Sequence, residues 1–223
     1  TYLELDVFFK YNPNLTDRTA VDLQSVVRDT ITDYNFDNLN KFDGVFRYSQ
    51  LTKAIDNADP SIINSTLRPR MYQTITASAT NANSFAVTYA APFYLSGEST
   101  KMILTSSAMQ INNIDHYFGD KPISGSNKRQ LFVYKLVEGD TVVVIPQAGE
   151  MDPEKGTLTL NNFTPDADTV VTLTVVPNSL DIAPKRNQLL SVVNDKVIIS
   201  PQIDTIAVGG ASGSIDYTTT SRI

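Results

Sequence analysis

His116 is the only imidazole in the chain. It stands in Ile114-Asp115-His116-Tyr117-Phe118, and nucleophilic catalysis would need a serine and an orienting acid beside it. No serine occupies a Gly-x-Ser-x-Gly elbow, so His116 reads as a residue closing a turn next to two aromatics. Glycosidase chemistry needs two carboxylates roughly 5–10 Å apart in contrasting environments. Glu98, Asp115, Asp120, Glu150, Asp152 and Glu154 mostly fall in turn-like segments, where acidic residues are ordinary turn formers. Asp152-Pro153-Glu154-Lys155-Gly156 lacks the alternating ligands and distal Glu of an EF-hand. The glycine-rich run from Val208 to Ser214 is not followed by Lys-Ser or Lys-Thr and reads as an extended linker, not a phosphate cradle. The absence of cysteine removes disulfides, thiolate zinc sites, iron–sulfur clusters and cysteine nucleophiles. The reading is a non-enzyme with no catalytic residue, no cofactor and no metal site.

The charge balance points the same way. The 223 residues carry 18 basic and 24 acidic side chains, a net charge of -6, whereas phosphate binding needs a concentrated basic face. Arg68/Arg70, Lys128-Arg129 and Lys185-Arg186 are scattered and read as ion-pair partners. No apolar run has the length to span a bilayer, and no signal peptide is visible. The sequons at Asn14, Asn64 and Asn162 matter only in a secreted chain. Thr1 opens directly in a strand-like pattern without methionine, so the chain reads as part of a longer protein.

The elements that position these residues are predicted as α+β. Leu3, Leu5, Val7, Phe9 and Tyr11 alternate with Glu4, Asp6 and Lys10, the pattern of a half-buried strand. Thr16 and Asp17 are expected to cap a helix whose apolar stripe is Ala20, Leu23, Val27, Ile31 and Tyr34, with Asp22, Asp29 and Asp33 on its wet side. Ser49 is expected to cap a second helix that stops at Asp59-Pro60. Strands are predicted at 71–79 and 85–90, completing a β-α-α-β-β unit over residues 1–100. A small antiparallel β domain follows over 101–176, with strands at 102–105, 131–137, 142–145, 157–160 and 169–176. The remainder, 177–223, is predicted as a hairpin (189–193 to 197–200 across Asn194-Asp195) and an extended tail.

What remains is binding surface. Phe36, Phe42 and Phe46 lie between the helices, Phe93 and Tyr94 follow a strand, and Ile215 and Tyr217 lie in the tail, where a strand could be added to a neighbouring chain. Thr/Asn-rich strands with exposed aromatics also suit a carbohydrate-binding or adhesin-like module of a virion or cell surface, which is the alternative reading.

Two passages carry a resemblance. Leu39-Asn40-Lys41-Phe42-Asp43-Gly44-Val45-Phe46-Arg47-Tyr48-Ser49-Gln50-Leu51, continuing to Asp59-Pro60-Ser61-Ile62, resembles the pattern of baseplate J-like proteins. Gly149–Leu160 and Ser179–Leu190 are similar to the C-terminal part of baseplate wedge proteins of T-even-type contractile-tailed phages. The resemblance implies a structural virion protein of the tail baseplate, a late product assembled in the host cytoplasm. It implies homodimers, contacts with other wedge proteins in a ring around the hub, and hinging when the sheath contracts. No nucleic acid, membrane or small-molecule substrate is expected. Within the second passage Pro184 and Asn187 read as turn makers, and Arg186 is expected to pair with Asp181 or with backbone carbonyls. Arg47, charged amid aromatics, is expected to be hydrogen-bonded, so that Arg47→Ala costs roughly 1–2 kcal/mol.

Overall fold

The computed structural model describes residues 1–95, 101–184 and 188–207. Strand β1 (Tyr2–Tyr11) follows the predicted alternation, with Leu3, Leu5, Val7 and Phe9 buried. Helix α1 (Ala20–Asn38) starts three residues later than Thr16 would place it, because Thr19 and Asp22 form a reciprocal capping box. Its buried stripe is Leu23, Val27, Ile31 and Tyr34, while Asp22, Asp29 and Asp33 are exposed. Helix α2 (Tyr48–Asp56) buries Leu51 and Ile55, and Arg47, not Ser49, is its first flanking residue.

Strand β2 (Ile62–Ala77) begins nine residues before the predicted 71. Pro69 and its two arginine neighbours hide this first half in the sequence. Proline is tolerated there because β10 (Thr169–Val175) pairs only as far as Met71, leaving no strand on that side to need an N–H. The remaining strands are β3 (Asn83–Thr88), β4 (Leu104–Ser106), β5 (Met109–Ile111), β6 (Ile114–Pro122), β7 (Arg129–Val137), β8 (Asp140–Asp152), β9 (Thr157–Phe163) and β11 (Ser191–Ile203).

Two sheets result: a five-stranded one in the order β11-β1-β2-β10-β4 and a six-stranded one in the order β3-β9-β8-β7-β6-β5. All pairs are antiparallel except β1 with β11. The element order β-α-α-β-β is as predicted. Its last strand, β3, nevertheless pairs in the second sheet, while β4, β10 and β11 return to the first. Helix α1 packs on β11 and α2 on β2. One continuous core links the helices, the first sheet and the inner residues Phe118, Leu131, Leu160 and Phe163 of the second. Tyr89, just past β3, ties the sheets together by donating its hydroxyl to the Leu173 carbonyl of β10 at 2.9 Å.

The hairpin expected across Asn194-Asp195 is a correction. The flanks of that pair run in the same direction beside β1, Leu3 facing Val192 and Leu5 facing Val197, so Val193–Lys196 form an outward excursion of one strand. Helix α1 holds it: Arg28 donates to the Asn194 carbonyl at 2.9 Å and to the Val197 carbonyl at 3.3 Å. Turn chemistry here makes a bulge, not a reversal.

Candidate interaction surfaces

The loop between the helices separates its aromatics. Phe36 and Phe42 are 82% and 77% exposed, whereas Phe46 is fully buried. Leu39 anchors one end of the loop in the core, and Asn40 and Asp43 turn the chain through the left-handed region (φ 54° and 65°). At the other end Phe46 exchanges two 2.9 Å backbone hydrogen bonds with Ile182, and its ring meets Tyr34 edge-on at 6.2 Å. Phe46 is therefore a loop anchor, and Phe36 with Phe42 forms the accessible surface.

Arg47 lies next to this anchor. Its guanidinium donates to Asp181 Oδ2 at 2.9 Å, while Asp181 Oδ1 accepts from the Tyr48 N–H at 2.9 Å. Asp181 thus caps α2 across the fold, supplying the acceptor that Arg47 does not. The Arg47 hydrogen bond, helped by the Tyr48 N–H, holds the Asp181 carboxyl below the usual carboxylate range. Tyr34 completes the cluster: its oxygen accepts from the Arg47 N–H at 2.8 Å, and burial raises its phenol above the ordinary value. Of the predicted motif, Asp181 and Arg47 are brought together and Pro184 ends the described stretch. Arg186 and Asn187, like Ile215 and Tyr217 in the tail, lie outside the described residues.

Phe93 and Tyr94 also divide. Phe93 is buried edge-on against Tyr89 at 5.0 Å, and Tyr94 is half exposed. Only one ring of that pair is therefore available to stack on a ligand.

Of the side chains considered for chemistry, Glu98 lies outside the described residues, and His116, Asp120, Glu150, Asp152 and Glu154 have structural partners. His116 lies within β6, not in a turn, buried with Nδ1 2.8 Å from the Ile114 carbonyl. Asp120 is fully buried: Oδ1 accepts from the N–H groups of Ile103 (2.9 Å) and Leu104 (2.8 Å), and Oδ2 pairs with Arg129 Nε. Arg129 also donates to the Lys101 carbonyl at 2.8 Å, so the pair pins the strand leading into β4. Glu150 pairs with Lys128, Asp152 with Lys155, and Glu154 accepts from Asn127. Arg70 lies against Glu4 and Asp6, and Arg68 sits over the Phe8 ring at 5.3 Å. Among the described residues no three His, Asp or Glu side chains form a group that could hold a metal ion. Among the described residues no helix is long and apolar enough to cross a membrane.

With this geometry in place, one comparison bears on it. Residues 1–74 match the family of baseplate structural protein gp6, C-terminal domain III. The matched segment takes in β1, both helices and β2 to Thr74, and with them Phe36, Phe42, Phe46 and Arg47. Asp181, Phe93 and Tyr94 lie beyond it. No curated protein matches the chain.

One surface escaped the sequence reading. In the β7–β8 hairpin Leu136, Val137, Val142, Val143 and Val144 are all exposed. The available signal was three consecutive valines between a tight turn and Pro146.

Proposed function

We propose that the chain is a structural component of a phage tail baseplate, in the wedge, acting through its surfaces and not through a reaction. The observation that carries this is the match of residues 1–74 to a baseplate structural protein domain. The finer reading is that it pairs with a second copy, contacts other wedge proteins in the ring around the hub, and accommodates their movement when the baseplate rearranges. Exposed Phe36 and Phe42, near the C-terminal end of α1 and in the loop that follows, favour contact with a protein partner, since aromatic side chains are enriched at interfaces. The matched segment is joined to Asp181-Ile182 by two backbone hydrogen bonds, an exposed ion pair, the hydrogen bond from the Tyr48 N–H to Asp181 and the burial of Ile182, the contacts that a hinging movement there would have to break.

Light scattering on the purified chain, followed by pull-down with the other wedge proteins, tests this. The expected result is a dimer that is retained by at least one wedge protein, with retention weakened in the double variant Phe36→Ser/Phe42→Ser. A chain that stays monomeric at high concentration and binds no wedge component overturns the proposal.

A further inference from the structure

We propose that the C-terminal end of α1, with the loop that follows it, docks a basic surface of another baseplate protein. Phe36 and Phe42 receive its arginine and lysine stems, and Asp29, Asp33, Asp37 and Asp43 receive their charges. This rests on the baseplate reading and gives one of the partners in it a chemistry.

Two phenyl rings stand open here. Phe36 on the last turn of α1 is 82% exposed, and Phe42 in the loop is 77% exposed. A phenylalanine buried in an interface removes roughly 150 Å² or more from water, so these rings are natural anchors for a partner. Both fall within residues 1–74, the segment matched by the baseplate family.

The charges around the rings are set against the helix that carries them. Asp29, Asp33 and Asp37 are four residues apart on the exposed side of α1, so each faces a like charge one turn away. Phe36 follows Asp33 by three residues and shares that side. Asp37 also sits in the last turn, where the helix dipole is negative and no basic residue stands. Asp43 adds an exposed carboxylate in the loop. Among the described residues none of these four forms an ion pair. The nearby cations point elsewhere: Arg28 donates to the Asn194 and Val197 carbonyls, Arg18 faces Asp59, and Lys41 donates to the Asp37 carbonyl.

That pattern selects the occupant. A second copy is unsuited, because a two-fold contact at this face sets the same carboxylates against each other. Nucleic acid and anionic lipid carry the wrong sign. Among the described residues the carboxylates do not converge on a metal position, so the complement is positive charge spread over a surface. A guanidinium suits both halves of the patch, pairing edge-on with a carboxylate and lying flat on an aromatic ring. The chain makes the second of these contacts itself, with Arg68 5.3 Å over the Phe8 ring.

Replacing Asp by Asn removes charge and keeps shape, and it separates a binding role from a structural one by sign. In the full chain, Asp29→Asn/Asp33→Asn/Asp37→Asn is expected to melt about 1–3 °C above the parent, because the repulsion along α1 is gone. In titrations against the purified wedge proteins one at a time, the same variant is expected to bind its partner at least about ten-fold more weakly. The parent's affinity should fall several-fold between about 50 and 300 mM salt. On the unaltered chain, a zero-length carbodiimide is expected to couple Asp33, Asp37 or Asp43 to lysines of that partner, located by mass spectrometry. If a wedge protein binds but the triple variant binds it as tightly as the parent, or the carbodiimide couples none of these carboxylates, this docking site is wrong and the baseplate reading stands. A triple variant that loses binding while melting below the parent shows that the carboxylates support the fold, and also overturns the site. If no wedge protein binds the chain, the site falls, and the baseplate reading falls with it when the chain is also monomeric.

Discussion

Asp181 shows how much one side chain can connect. It neutralises Arg47 and caps α2 from more than a hundred residues away. Because the Arg47 pair is exposed, Arg47→Ala is expected to cost under about 1 kcal/mol, below the value its aromatic neighbours suggested. Asp181→Ala removes both the ion pair and the cap and should lower the urea midpoint further than Arg47→Ala does; equal midpoints would show that the cap contributes nothing. Asp120 is the contrasting case. Removing it strands a buried guanidinium and two N–H groups, so Asp120→Ala is expected to destabilise by about 3–5 kcal/mol in urea unfolding. The Arg47 partner of Asp181 was not legible in the sequence, since nothing local encodes a contact made across the fold, and the Arg129 partner of Asp120, only nine residues on, was hidden because β6 itself was not predicted. Phe36 and Phe46 likewise look alike in sequence, and only the Ile182 bridge decides which is buried.

At the level of elements, the capping box makes Thr19→Ala cost about 1 kcal/mol, measurable as a lower thermal midpoint. Gly149 is held more tightly. It adopts φ 144°, and a Cβ there would lie 1.9 Å from the Thr159 carbonyl oxygen of β9. Gly149→Ala should therefore cost more than about 2 kcal/mol, and a melting curve like the parent's would refute the close approach of β8 and β9. Elements with a clean period were readable: β1 by alternation and α1 by its stripe. Those that were missed lacked that signal. β5 and β6 are joined by Asn112-Asn113 in the left-handed conformation, and Gly119 and Asp120 interrupt the apolar alternation of β6. β11 was read as two strands of a hairpin because Asn194-Asp195 carries turn chemistry that the fold uses for a bulge.

For the molecule as a whole, pH should narrow stability from both sides. Burial raises Asp59, but hydrogen bonds from Ser61 and the nearby Arg18 outweigh it, leaving the carboxyl below its ordinary 3.8. Asp152 and Asp181 are lowered as well. A carboxyl depressed in the native state contributes fully above its unfolded value, so this stability is lost as pH falls below about 4 through the lowered native values. Burial instead raises the Tyr89 phenol far above 10.0. That contribution is complete below the unfolded value and is lost as pH rises past about 10. Melting temperature against pH should show both limbs, with the alkaline one diminished in Tyr89→Phe.

The neighbour of β1 is β11, and Tyr2 lies opposite Ser191. Helix α1 rests on β11, so the buried stripe of Leu23, Val27 and Ile31 has no complete floor until the last described strand arrives. Pairing across so much sequence is entropically slow, and it must follow the local hairpins of the second sheet. The segment that carries the family match is therefore made first and finished last. A chain cut before residue 191 is therefore expected to leave the α1 stripe uncovered and to aggregate through it, which light scattering on the truncated chain checks.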